Sequence, residues 1–131
     1  MKKSLNIALG TGRRKTAIAR IYMRKGEGKI TVNGKDVEAY FPVDLQRQIV
    51  KAPLVVCNVD GIDLIINVRG GGLQGQAVAV RHALSRALVK ADEDRRPLLK
   101  EKGFLTRDPR KRERKKYGQP GARKRFQFCK R

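Results

Sequence analysis

Along the first third of the chain, apolar positions recur at every second residue. Leu5, Ile7 and Leu9 alternate with Asn6 and Ala8, which predicts a strand broken by Gly10-Thr11-Gly12. In "RRKTAIARIYM", Ala17, Ala19, Ile21 and Met23 alternate with Ile18, Arg20 and Tyr22, a second strand that Gly26 and Gly28 end. Lys29–Val32 predicts a short third strand, closed by the turn pair Asn33-Gly34. Asp36–Phe41 has room for one helical turn. After Pro42, "VDLQRQIVKA" places Val43, Leu45, Ile49 and Val50 in a helical composition that should stop before Pro53. "LVVCNV" and "IDLIINVR", joined by Asp60-Gly61, then predict a β-hairpin with a type I′ turn.

The period changes after Gly70-Gly71-Gly72. From Leu73 to Ala91, the residues Ala77, Val80, Leu84, Ala87, Leu88 and Ala91 form one stripe at 3.6-residue spacing, with His82, Arg86 and Lys90 opposite. This predicts a helix with one face on a sheet and one in solvent. A shorter helix is expected over Arg96–Lys102, stopped by Gly103. Strands, a short helix, strands and then helices describe an α+β fold. Its expected form is a two-layer α/β sandwich, with helices on one face of a mixed four- to five-stranded sheet. Periodicity does not fix the strand order.

Charge changes the picture at the C-terminal end. The chain has 131 residues, one domain's worth, and 32 Lys+Arg against 12 Asp+Glu give a formal net charge of +20. Such self-repulsion points to a polyanionic partner, with RNA or DNA first. No apolar run is long enough to span a bilayer, and the alternation near Met1 is too short for a signal peptide, so a cytoplasmic protein without a membrane partner is expected. The charge is uneven: residues 107–131 hold 12 cations and 2 acids, a net of +10 in 25 residues, whereas residues 1–106 carry the other +10. That shift divides the chain into an expected globular body, residues 1–106, and an extended basic tail, residues 107–131. The tail has Pro109, Gly118, Pro120 and Gly121 and no apolar stripe. Tyr117, Phe126 and Phe128 interleave with its cations, so bases or sugars can stack while Lys and Arg take phosphates.

Other candidate chemistry is sparse. Cys57 and Cys129 are two distant thiols, too few for a zinc site or a disulfide framework. His82 is the only histidine and has no nucleophile or carboxylate at a suggestive spacing; it is expected on the polar side of its helix. Asp92-Glu93-Asp94 reads as a solvated linker with Arg95 and Arg96 as partners. "RGGGLQGQA" lacks the Gly-Lys-Ser/Thr ending of a P-loop and the spacing of a dinucleotide fingerprint. It is expected to meet an RNA phosphate through backbone, or to serve tight helix–strand packing alone. Arg13, Arg14 and Lys15, at a glycine-loosened turn, read as a phosphate clamp. No catalytic residue, cofactor, metal or small-molecule substrate is expected. A nucleic-acid regulator would need an autonomous recognition element and a nuclease would need paired carboxylates; the sequence offers the first nowhere and the second only at Asp92–Asp94.

The order of motifs "GTGRRKTAIARIY", "KITVNGKDVEAYFP", "VRGGGLQGQAVAVRHALSRAL", "RDPRKRERKKYG" and a terminal "CKR" resembles the bacterial form of the ninth small-subunit ribosomal protein family, over essentially the whole chain. The resemblance implies a domain like the second domain of the fifth small-subunit protein, with a left-handed β-α-β crossover. It implies a structural, non-enzymatic role in the head of the small subunit, on the rRNA of the 3′ major domain and beside neighbouring head proteins. Arg13, Arg14, Lys15, Arg110, Lys111, Arg112, Arg114, Lys115 and Lys116 would hold rRNA. The tail would reach the anticodon stem-loop of peptidyl-site tRNA, which Arg125, Phe128, Lys130 and Arg131 would contact. Two departures stand out: Gln119-Pro120-Gly121 interrupts the basic run, and Cys129 replaces the family's serine.

Overall fold

A computed structural model describes residues 6–127. Five strands, β1 (Ala8–Arg14), β2 (Ala17–Lys25), β3 (Ile30–Val32), β4 (Lys35–Asp36) and β5 (Ile62–Arg69), form one mixed sheet in the order β1-β2-β5-β3-β4. All neighbours are antiparallel except β3 and β5, which run parallel. That parallel pair is joined through helices α1 (Val37–Tyr40) and α2 (Asp44–Cys57), a β-α-β unit. Helix α3 (Leu73–Ala91) follows β5, and a single 3₁₀ turn (Glu93–Arg95) leads into α4 (Arg96–Glu101).

The inward side of the sheet is set by register. Ala8, Met23, Leu64 and Ile30 form one buried cross-strand row; Gly10, Ile21, Ile66 and Val32 form the next, and Gly12, Ala19 and Val68 the third. The rows therefore shrink toward the end where α3 starts. Glycines Gly10 and Gly12 do not break the first strand; they lie inside it. A Cβ on Gly12 would sit 2.2 Å from the Ala79 carbonyl oxygen, and one on Gly10 2.2 Å from that of Ala83. Backbone meets backbone here, and only glycine permits it. The facing helix supplies small residues in turn: Ala79, Ala83 and Ala87 are fully buried. Ile7 and Leu9, by contrast, face outward and are exposed. Leu5 lies outside the described residues.

The expected hairpin at Asp60-Gly61 is corrected. "LVVC" belongs to α2, which runs through Pro53 to Cys57. Proline removes one backbone hydrogen bond from a helix, yet the stripe Gln46, Val50, Pro53, Leu54, Cys57 keeps helical spacing and is buried or half-buried throughout. Tertiary burial overrides the β-branched composition. Asn58 ends the helix in the left-handed conformation, and the Val59 amide donates to the Leu54 carbonyl. The type I′ turn sits instead at Asn33 and Gly34, both with positive φ, between paired Val32 and Lys35. Asn33 also extends the sheet: its side chain accepts from the Val68 amide (2.9 Å) and donates to the Val68 carbonyl (3.0 Å), standing in for a strand residue past the end of β3.

Helix α3 is buried on more than one side. Sheet residues cover one flank and α2 another. His82 is buried rather than on a solvent face, with the Phe104 carbonyl at its ring, while Ala91, expected in the stripe, is exposed. Arg86 and Lys90 are exposed as expected. Gly103, with φ +76°, follows α4, and Phe104 and Leu105 still pack partly against the core. Beyond them the described chain has no helix or strand.

Candidate nucleic-acid interface

Tail and body meet at a small set of contacts around α3 and β1. The Phe104 carbonyl lies 3.3 Å from Nδ1 of His82, and the Arg81 guanidinium sits 4.9 Å over the Phe104 ring, a cation–π arrangement. Four residues on, the Asp108 carboxylate accepts hydrogen bonds from the Arg110 amide (3.0 Å) and side chain (2.7 Å), and lies 3.6 Å from Arg14. The Arg110 hydrogen bonds, with the charges of Arg110 and Arg14, hold the Asp108 carboxyl well below the usual carboxylate range, so it stays ionised. Burial lowers Arg81 somewhat, the nearby Arg14 adds to this, and Asp108 opposes it. One acid thus balances a knot of arginines where the tail departs.

The clamp triple separates. Arg13 is exposed on the helix-free face of the sheet, level with Ile18 and, on the far side of β2, with Arg69. Arg14 is half-buried and faces Asp108 at the tail root. Lys15 is exposed at the β1–β2 turn with φ +52°. The turn lies against the glycine loop: a Cβ on Gly70 would be 2.5 Å from the Thr16 carbonyl oxygen. Gln76 then ties the loop down, donating to the Gly70 carbonyl (2.9 Å) and accepting from the Tyr40 hydroxyl (2.7 Å). Of the two readings of "RGGGLQGQA", tight packing accounts for Gly70.

In the tail, Arg110, Lys111, Arg112, Arg114, Lys115 and Lys116 are all exposed. Glu113 folds the segment back: it binds Lys116 and, ten residues on, Arg123 at 2.8 Å, while the Gln119 amide donates to the Lys116 carbonyl. Those two partners hold Glu113 below its ordinary value. The Gln119-Pro120-Gly121 interruption therefore lies in a turn. Tyr117 and Phe126 are exposed, at 104% and 71%. Arg125 is exposed, whereas Phe128, Cys129, Lys130 and Arg131 lie outside the described residues.

Remaining candidates resolve into structure. Asp92 caps the 3₁₀ turn by accepting from the Asp94 amide (3.1 Å), and Asp92 and Glu93 pair with Arg95 and Arg96, as the linker reading expected. Among the described residues no cluster of His, Cys, Asp and Glu could hold a metal, and no helix is long and apolar enough to cross a membrane. Cys57 is half-buried and packs against the core; burial raises its thiol, against a smaller opposing effect of Arg95. Sequence reasoning did not single out Arg20 and Arg69, because the pairing of β2 with β5 is what sets them beside Arg13. The outward parity of Arg20 in its strand was the available signal.

The chain is 51% identical over 130 residues to the small ribosomal subunit protein uS9 of Borrelia hermsii (strain HS1 / DAH), covering 98% of this chain and 96% of the relative. It is 52% identical over 136 aligned positions to the small ribosomal subunit protein uS9 of Borreliella burgdorferi (strain ZS7), covering both chains completely. The family described as ribosomal protein S9/S16 matches residues 12–131, and the chain belongs to that family.

Proposed function

We propose that this protein sits in the head of the small ribosomal subunit and works there through two RNA contacts. Family membership makes it a structural constituent of the ribosome, not an enzyme. Beyond that, Arg13, Arg14, Lys15 and the cations Arg110–Lys116 hold rRNA of the 3′ major domain, next to other head proteins. Residues 107–131 act as an arm separate from the body of residues 1–106. Its end, through Arg125, Phe128, Lys130 and Arg131, approaches the anticodon stem-loop of peptidyl-site tRNA.

One observation carries this reading. The described tail leaves a well-packed body with nearly every cation and both of its aromatic rings, Tyr117 and Phe126, in solvent. Such a segment buries too little apolar surface to order itself, and gains most where phosphates take its charge and bases or sugars cover its rings. Deleting residues 129–131 is expected to leave subunit assembly intact and to weaken peptidyl-site tRNA retention, measured by filter binding on purified subunits. Normal retention by the truncated subunits would refute the tRNA role.

A further inference from the structure

Helices cover only one face of the sheet. On the other, register gathers side chains from three strands. Arg13, Ile18 and Arg69 share one cross-strand row, and Thr11, Arg20 and Asn67 share the next. Together they line a shallow depression of about 690 Å³. Arg13, Arg20 and Arg69 are exposed, and among the described residues none has a carboxylate within ion-pair distance. Arg13 and Arg69 stand two strand spacings apart, roughly 10 Å. Ile18 lies between them and is 42% exposed.

This cluster does nothing for folding. The core lies on the opposite face, and three guanidinium groups held on a rigid sheet repel one another. Their planar donor forks match phosphate oxygens. Thr11 and Asn67 add neutral donors and acceptors suited to a ribose hydroxyl, and Ile18 offers an apolar floor for a sugar. Among the described residues of β2, Tyr22 shares the outward parity of Ile18 and Arg20, one ring rather than the pair that splayed single-stranded bases would need.

Resting on the RNA-binding reading above, which already sets Arg13 against rRNA, we propose that Arg20 and Arg69 extend that contact across the open sheet face, which takes the sugar–phosphate backbone of helical RNA. It is separate from the tail and reads shape rather than sequence.

The test uses the full-length protein and a transcript of the rRNA 3′ major domain, with affinity measured across a salt series. Each phosphate contact contributes about 0.9 to the slope of log affinity against log salt. Arg20→Gln/Arg69→Gln is expected to lower that slope by roughly 2 and to weaken binding about fiftyfold near 0.1 M salt, converging with wild type toward 1 M. The charge-keeping pair Arg20→Lys/Arg69→Lys should retain most of the slope. Equal melting temperatures show that folding is intact, since both side chains are exposed. A parallel tail variant, Lys111→Gln/Arg112→Gln, separates the two readings. If the tail variant lowers the slope and the sheet variant does not, the sheet proposal fails alone. If neither does, the RNA-binding reading fails with it.

Discussion

Replacing Gly12 by alanine tests the central packing claim, that β1 and α3 touch backbone to backbone. The added Cβ would lie 2.2 Å from the Ala79 carbonyl oxygen, 2.4 Å from the Ala83 nitrogen and 3.0 Å from the Ala83 Cα. Ordinary contact begins near 3.4 Å, so strand and helix must part by roughly 1 Å. Neither partner is a flexible side-chain tip, and the neighbouring Gly10 is wedged in the same way. Overpacking of a dense core costs about 1–3 kcal/mol, and clash with backbone on two sides puts this case near 3 kcal/mol. Alanine recovers about 0.5–1 kcal/mol by restricting the unfolded chain. The net loss is then about 2 kcal/mol, or a fall in Tm of roughly 10 °C for a body of this size. Gly75→Ala provides the contrast. Gly75 lies in the first turn of α3, where the new Cβ would meet only the Ala17 Cβ, at 3.9 Å. That substitution is expected to stabilise by about 0.4–1 kcal/mol. Thermal melts followed by circular dichroism on the two full-length variants measure both. A Gly12→Ala melting temperature within about 2 °C of wild type, or a shift in the same direction for both variants, would refute the close-approach account.

His82 is lowered chiefly by burial and further by Arg86, Arg107 and Arg81, against the raising effect of the Phe104 carbonyl. Its folded form therefore resists protonation more than the unfolded chain does. Stability from this source is complete above the ordinary histidine value, near 6.5, and declines as pH falls through that value toward the lowered one. Since the chain has 1 histidine, its NMR titration is unambiguous: a midpoint below 6.5 is expected, and one above it would overturn the burial argument. Asp108→Asn is expected to loosen the tail root, because Arg14 and Arg110 both lose an ionised partner. Trypsin should then cut at Arg107 and Arg110 several times faster while the melting temperature of the body barely moves; unchanged cleavage would mean that the pairing does not order the root.

The alternation of Ala17, Ala19, Ile21 and Met23, the run of β5 and the long stripe of α3 were legible because each element's own period matches its burial. Even the one-turn helix at Val37–Tyr40 and the glycine stop after α4 follow from local chemistry. The family motifs and the concentration of charge after Thr106 were legible for the same reason, since neither depends on how the chain folds. Three features depended on partners far away in the chain. Gly10 and Gly12 look like strand breakers until the alanine stripe of α3 is laid across them. Leu54–Cys57 looks like a strand until its burial beside α3 carries the helix through Pro53. His82 looks solvent-facing until Phe104 returns over it. The same holds for the cationic face: Arg13, Arg20 and Arg69 lie up to 56 residues apart in sequence, and only the pairing of β1, β2 and β5 makes them neighbours. Local propensity and charge belong to the residues themselves. Proximity belongs to the folded sheet, because burial and register are set by which segments meet.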